Sequence, residues 1–105
     1  MRVIWSELAS LALQDTADYL YEEFGEQQQE DFLFQIDHLA VLLELNPHMG
    51  KVEPLLTKLP HEFRSIVANH YNKLIYLIND DLIEIVDFWD TRRDPMALVQ
   101  ELKNL

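Results

Sequence analysis

The sequence predicts an α+β domain: a small, mostly antiparallel sheet packed on one face by an N-terminal helical hairpin, in the order β-α-α-β-β-β-α. Three observations carry this. Apolar residues recur at helical spacing up to about residue 45. Beyond Gly50 the period changes to short, β-branched and aromatic runs. A chain of 105 residues is the length of one domain, residues 1–105, with room for a single modest core.

The opening "RVIW" is short and β-branched, which predicts a strand over residues 3–5. Ser6 then offers an N-cap, and Glu7 places an anion in the first turn where the helix dipole favours it. Leu8, Leu11, Leu13, Ala17, Leu20 and Phe24 follow at helical spacing, and Gly25 is a stop signal, giving a helix over residues 6–24. A second helix, residues 27–45, has Phe32, Ile36, Leu39 and Leu43 on one stripe and Gln27, Gln28, Glu30, Asp31 and Asp37 off it. "NPHMG" ends it, because Pro47 disfavours helix at Asn46 and Gly50 permits a turn.

"KVEPLLTKLP" reads as irregular. The runs "FRSIVANHY", "KLIYLIN" and "LIEIVDFW" predict strands over residues 64–70, 73–79 and 82–89, the last two joined by a hairpin turn at "NDD". The last run is apolar on both alternating faces apart from Glu84 and Asp87, as a central strand is. Pro95 opens a short closing helix, "PMALVQELKNL".

Charge is distributed unevenly and narrows the function classes. Residues 1–50 hold ten acidic side chains against one basic, Arg2; residues 51–105 hold nine acidic and seven basic. A net charge of −11 disfavours nucleic acid as a direct partner, because phosphate binding relies on Lys and Arg displacing counterions. Any such contact needs a local basic patch. No segment approaches the ~20 apolar residues that cross a bilayer, and "MRVIWSEL" has neither a long apolar region nor a small-residue cleavage site. With no cysteine, the expectation is a cytoplasmic protein that contacts no membrane. His38, His48, His61 and His70 lack metal-ligand spacing, so neither a metal nor another cofactor is expected.

Four motifs, "VIWSELA", "NPHMGK", "FRSIV" and "VDFWDTRRDP", in this order of elements resemble the RelE/ParE superfamily of bacterial type II toxins, over essentially the whole chain. The ending is the most specific of the four. The resemblance implies a cytoplasmic toxin, of the kind linked to plasmid stabilisation, neutralised by a cognate antitoxin that wraps around it. One branch of the superfamily cleaves mRNA on the ribosome and the other poisons DNA gyrase. Cleavage needs several cations around the scissile phosphate and a group that moves protons. Arg64 matches the superfamily's arginine in "FRSIV". The position where many relatives carry a further arginine reads Leu77, and Asp90 or Thr91 stands where cleaving relatives often place His or Tyr. The resemblance is therefore closer to the ParE branch, with gyrase as the expected target. The alternatives are a ribosome-dependent mRNA endoribonuclease and a degenerate member that only binds its antitoxin.

The expected partner-binding residues are Arg64, Lys73, Trp89, Arg92 and Arg93, and no catalytic residue is assigned. Of the doublet in "DTRRDP", one arginine is expected to brace the fold and the other to face the functional surface with Arg64. Blander readings stand beside these. The doublet could simply pair with Asp90 and Asp94, Arg64 could brace the sheet against a carboxylate of the helical hairpin, and strand spacing puts Trp89 in the core. The acidic side chains of the hairpin most simply form a solvated face.

Overall fold

The computed structural model describes residues 1–105. Strand β1 (Arg2–Trp5) is followed by α1 (Glu7–Phe24) and α2 (Glu26–Leu45), the short β2 (Lys51–Val52) and a 3-10 turn (Pro54–Leu56). Then come β3 (Arg64–Val67), β4 (Asn72–Asn79), β5 (Leu82–Asp90) and α3 (Pro95–Leu102). The five strands form one sheet in the order β1-β5-β4-β3-β2. β1 runs parallel to β5 and every other pair is antiparallel. No helix is long and apolar enough to cross a membrane.

The local signals act as the chemistry requires. The Ser6 hydroxyl accepts the Ala9 N–H at 3.0 Å, capping α1, and donates to the Val86 carbonyl at 3.3 Å, which ties the helix start to β5. Gly25 separates the two helices at φ 92°, a conformation that a Cβ would strain. At the β4–β5 turn Asp80 adopts φ 56°, within the aspartate tolerance for left-handed backbone. Asp94 caps α3 by accepting the Met96 N–H at 3.0 Å, with Pro95 at the first helical position.

Both faces of the sheet are covered. The hairpin side buries Leu74, Tyr76, Ile83 and Ile85 against Ala9 and Leu43. It also buries Phe88 against Ala17, Phe32 and Ile36, with the Phe32 and Phe88 rings edge to face at 5.8 Å. The other side buries Ile75, Leu77, Val86 and Trp89 beneath Leu98 and Leu102 of α3 and beneath Leu56 and Phe63. A bulge makes this possible. Tyr76 pairs with Ile85 but Ile75 pairs with Asp87, so Val86 is the extra residue of β5. Ile85 and Phe88 can then face the hairpin while Val86, Asp87 and Trp89 serve the opposite side.

Several boundaries differ from the sequence reading. The strand expected over 64–70 stops at Val67, because the Asn69 side chain accepts the N–H groups of Tyr71 and Asn72, both at 3.0 Å, and turns the chain. The stretch read as irregular contains β2, whose two residues are too few for periodicity to register and which exists by pairing with β3. On α1 the buried line runs through Ala9 and Ala17, with Leu13 and Leu20 beside them, whereas Leu8, Leu11 and Phe24 are exposed. Alanines bring that helix close to the sheet, so the larger residues are displaced to its flanks.

Candidate functional site

Each cation singled out in the sequence is held by a group of its own chain. Arg64 donates to the Gly50 carbonyl at 2.8 Å and to the Glu62 carboxylate at 3.0 Å. The brace is thus the loop after α2 and a neighbouring carboxylate, not the hairpin as one reading expected. Beside it, the Tyr76 hydroxyl donates to the Pro47 carbonyl at 2.7 Å and accepts the Gly50 N–H at 3.0 Å. Burial pushes that phenol above its ordinary pKa, while the Gly50 bond and the Arg64 charge pull it down. A Cβ on Gly50 would stand 2.8 Å from the Tyr76 ring, so glycine is what lets the loop close here. A shallow cavity of about 120 Å³ opens beside Arg64, lined by His48, His61, Glu62, Leu77 and Ile78 as well.

Lys73 reaches across the other face to Glu53. Its Nζ lies 2.6 Å from Oε1 of a carboxylate that is fully buried, and the Ser65 hydroxyl donates to Oε2 at 2.7 Å. The buried anion is thereby paired and hydrogen-bonded, the condition for burying a charge without a large desolvation cost.

The arginine doublet divides between two surroundings. Arg92 is 63% exposed, binds Asp90 through Nε at 3.0 Å and a terminal nitrogen at 2.7 Å, and lies over the Tyr71 ring at 4.2 Å. The hydrogen bond from Arg92 holds the Asp90 carboxyl below its ordinary pKa. Arg93 turns to the opposite side, where it covers the Trp89 ring at 4.5 Å and pairs with Glu101 of α3 at 3.0 Å. Its partner is Glu101 and not Asp94, which caps α3. Trp89 itself is 1% exposed and belongs to the core, so it meets no partner directly. Beneath it Asp87 is equally buried and adjoins Glu101.

The structure does not bring the expected residues into one patch. Arg64 stands opposite Tyr76, which pairs with Ile85, while Arg92 lies beyond Asp90 at the far end of the same strand. The strand between Ile85 and Asp90 spans on the order of 15 Å. Lys73 and Trp89 face α3, and Arg64 lies on the side of Tyr76. What Arg92 does join is an aromatic rim that the sequence reading missed. Tyr71 lies beneath it and His70 meets Tyr71 edge to face at 4.7 Å, while on α1 Tyr19 and Phe24 meet edge to face at 6.4 Å. Tyr19, Phe24 and Tyr71 are all exposed. An arginine stacked on an exposed aromatic ring, as Arg92 is on Tyr71, has the composition of a protein-binding hot spot. The signal that could have found them is their exposure, which only the packing of α1 on β5 reveals.

Comparison with known proteins matches residues 3–95 to the family model described as the ParE toxin of the type II toxin–antitoxin system parDE. No curated protein matches the sequence. Among solved structures, the fold is similar to a chain of the chromosomal ParDE toxin–antitoxin system from P. aeruginosa. That match has a TM-score of 0.70 at 15% identity and covers 86% of this chain and 95% of the other. A YoeB/ParE toxin from Agrobacterium tumefaciens matches with a TM-score of 0.58 at 15% identity, covering 86% and 98%. A chain of the YoeB–YefM complex from Staphylococcus aureus matches with a TM-score of 0.52 at 18% identity, covering 84% and 93%. Identities this low speak to the fold alone.

Proposed function

Since the chain belongs to the ParE toxin family of type II toxin–antitoxin systems, we propose that it arrests growth by binding and inhibiting DNA gyrase and that a cognate antitoxin holds it inactive. It acts in this reading as an inhibitor and not as a nuclease, in the cytoplasm where gyrase works.

One observation carries the choice between the two modes. Arg64, Lys73, Arg92 and Arg93 are each paired with a carboxylate, to Glu62, Glu53, Asp90 and Glu101 respectively. A scissile phosphate and its transition state need unpaired positive charge aimed at the developing anion. Here each of these charges is offset within the chain, and the chain as a whole carries a net −11. The pocket beside Arg64 has the apolar Leu77 in its wall. Binding a protein target asks for none of this. It asks for a rigid, partly apolar surface with a few anchors, and Arg92 stacked on the exposed Tyr71 is one such anchor. Arg92, stacked and oriented by Asp90, is the member of the doublet we assign to the target-facing surface, with Arg93 bracing α3 beneath it.

Induction in growing cells tests the reading. Gyrase poisoning predicts blocked replication and an SOS response while translation continues. Rapid arrest of translation with cut messenger RNA would favour the nuclease, and unimpaired growth would favour a chain that only binds its antitoxin.

A further inference from the structure

Helix α3 has eight residues and takes part in no strand pairing. A helix that short does not persist in water by itself, so its packing decides whether it forms. The apolar part of that packing is Leu98 and Leu102, buried in one cluster with Leu77, Val86 and Trp89. The polar part is Glu101. Its Oε1 accepts from Arg93 at 3.0 Å, while Oε2 is buried without a hydrogen-bond partner and adjoins Asp87, whose Oδ2 is buried and unpartnered as well.

The surroundings offer these two carboxyls little else. Arg93 is the cation beside them, and it is half exposed. The next charges on this side of the sheet, Lys73 and Glu53, neutralise each other at 2.6 Å. β4 lays Ile75 beside Asp87, and the 3-10 turn and the segment before β3 contribute Leu56 and Phe63. One proton between Asp87 and Glu101 satisfies both orphaned oxygens. Without it, two negative charges face each other out of water. Only one of them is free to retreat. Asp87 belongs to β5, which lies between β1 and β4 in the sheet, whereas Glu101 sits in the last turn of a helix that no strand holds.

We propose that α3 is latched to the sheet by a proton shared between Asp87 and Glu101, and that loss of this proton releases α3 while the strands and the helical hairpin stay folded. Release uncovers the apolar bed around Trp89 and carries Glu101 into water. The latch does not depend on which target the chain inhibits.

The direction with pH follows from which state holds the proton. Burial, then the hydrogen bond with Glu101 and its charge, raise the Asp87 carboxyl from 3.8 to about 8 when α3 is docked. Released, both carboxyls ionise as ordinary ones do. Docking is therefore firmest below 3.8, weakens as pH rises, and has lost the proton's whole contribution above about 8. Between those limits each pH unit multiplies the released fraction by about ten.

Hydrogen exchange of the full chain, followed by NMR, reads that fraction even when it is small. Protection factors already remove the intrinsic pH dependence of exchange. At the backbone amides of residues 99–102 they are expected to fall about tenfold per unit between about pH 5.5 and 7.5 in wild type. In Asp87→Asn they should stay constant within about twofold, because the amide donates to Glu101 at every pH. His61, which meets the Leu105 carbonyl at 3.1 Å just beyond α3, is untouched by this variant, so any contribution from it would survive there. The amides of β4 and β5 should remain at least about tenfold better protected than those of α3 throughout. If Asp87→Asn does not fold, Glu101→Gln makes the same comparison from the other side of the pair. Constant wild-type protection overturns the latch, as does an equal fall in the neutral variant. Equal protection in α3 and β5 also overturns it, because the chain would then open only as a whole.

Discussion

The carboxyl of Asp87 on β5 and the carboxyl of Glu101 on α3 adjoin in the core, and each keeps one oxygen buried without a hydrogen-bond partner, Oδ2 and Oε2. One proton held between them satisfies both. Burial, then the hydrogen bond with Glu101 and its negative charge, push the Asp87 pKa from 3.8 up to about 8, against smaller opposing effects of the Phe88 backbone and Arg93.

That relationship makes stability depend on pH in a direction opposite to an ordinary ion pair. A folded-state value above the unfolded one means that the folded chain keeps a proton the unfolded chain releases. The stabilisation is complete below the unfolded value of 3.8 and is lost as pH rises through about 8. Thermal melts at constant ionic strength from pH 4 to 9 should show the wild type weakening with pH. Asp87→Asn, neutral throughout, should flatten that slope and melt higher than wild type at pH 8.

Lys73 and Glu53 behave as a buried pair, in which removing one partner is worse than removing both. Lys73→Met should cost about 3–5 kcal/mol, because it leaves the Glu53 carboxylate buried and unpaired. Adding Glu53→Gln should recover most of that loss, since a neutral amide can still accept from Ser65. Denaturant titration of the single and double variants checks this, and a double variant no more stable than Lys73→Met would mean that the charge is not the cause.

The two adjacent arginines should separate by assay. Arg93→Ala removes the cation over Trp89 and the partner of Glu101, with an expected loss of about 1–2 kcal/mol in stability. Arg92→Ala, on an exposed surface, should leave the melting temperature nearly unchanged and instead lose growth inhibition. Melting temperature and a growth assay on both variants, with Arg64→Ala alongside, give the comparison. Arg64→Ala should follow stability, because its guanidinium is tied to the Gly50 carbonyl.

Element order was legible because its signals are local. Ser6, Gly25, Asp80 and Pro95 each act on their own backbone, and the change of period at Gly50 reflects a real change from helix to sheet. What sequence could not supply was anything created by pairing. β2 is too short to announce itself, and the bulge at Val86 that turns Asp87 toward α3 depends on register with β4. The site follows the same division. The doublet in "DTRRDP" was visible as unusual, while its split between exposed Arg92 on Asp90 and Arg93 on Glu101 and Trp89 is set by packing. Grouping Arg64 with it was not supported, because sequence distance carries no information on position along a strand. Tyr71 comes to Arg92 from beside β4, so no linear pattern joins the two.

In the function proposed above, this toxin works by binding gyrase and not by cutting RNA. The most direct measurement is a supercoiling assay with purified gyrase and relaxed plasmid, run beside a translation reaction in which messenger RNA integrity is followed. The chain is expected to block supercoiling at stoichiometric concentration, Arg92→Ala to relieve the block without lowering the melting temperature appreciably, and messenger RNA to stay intact. Unimpaired supercoiling together with messenger RNA cut on the ribosome would contradict it.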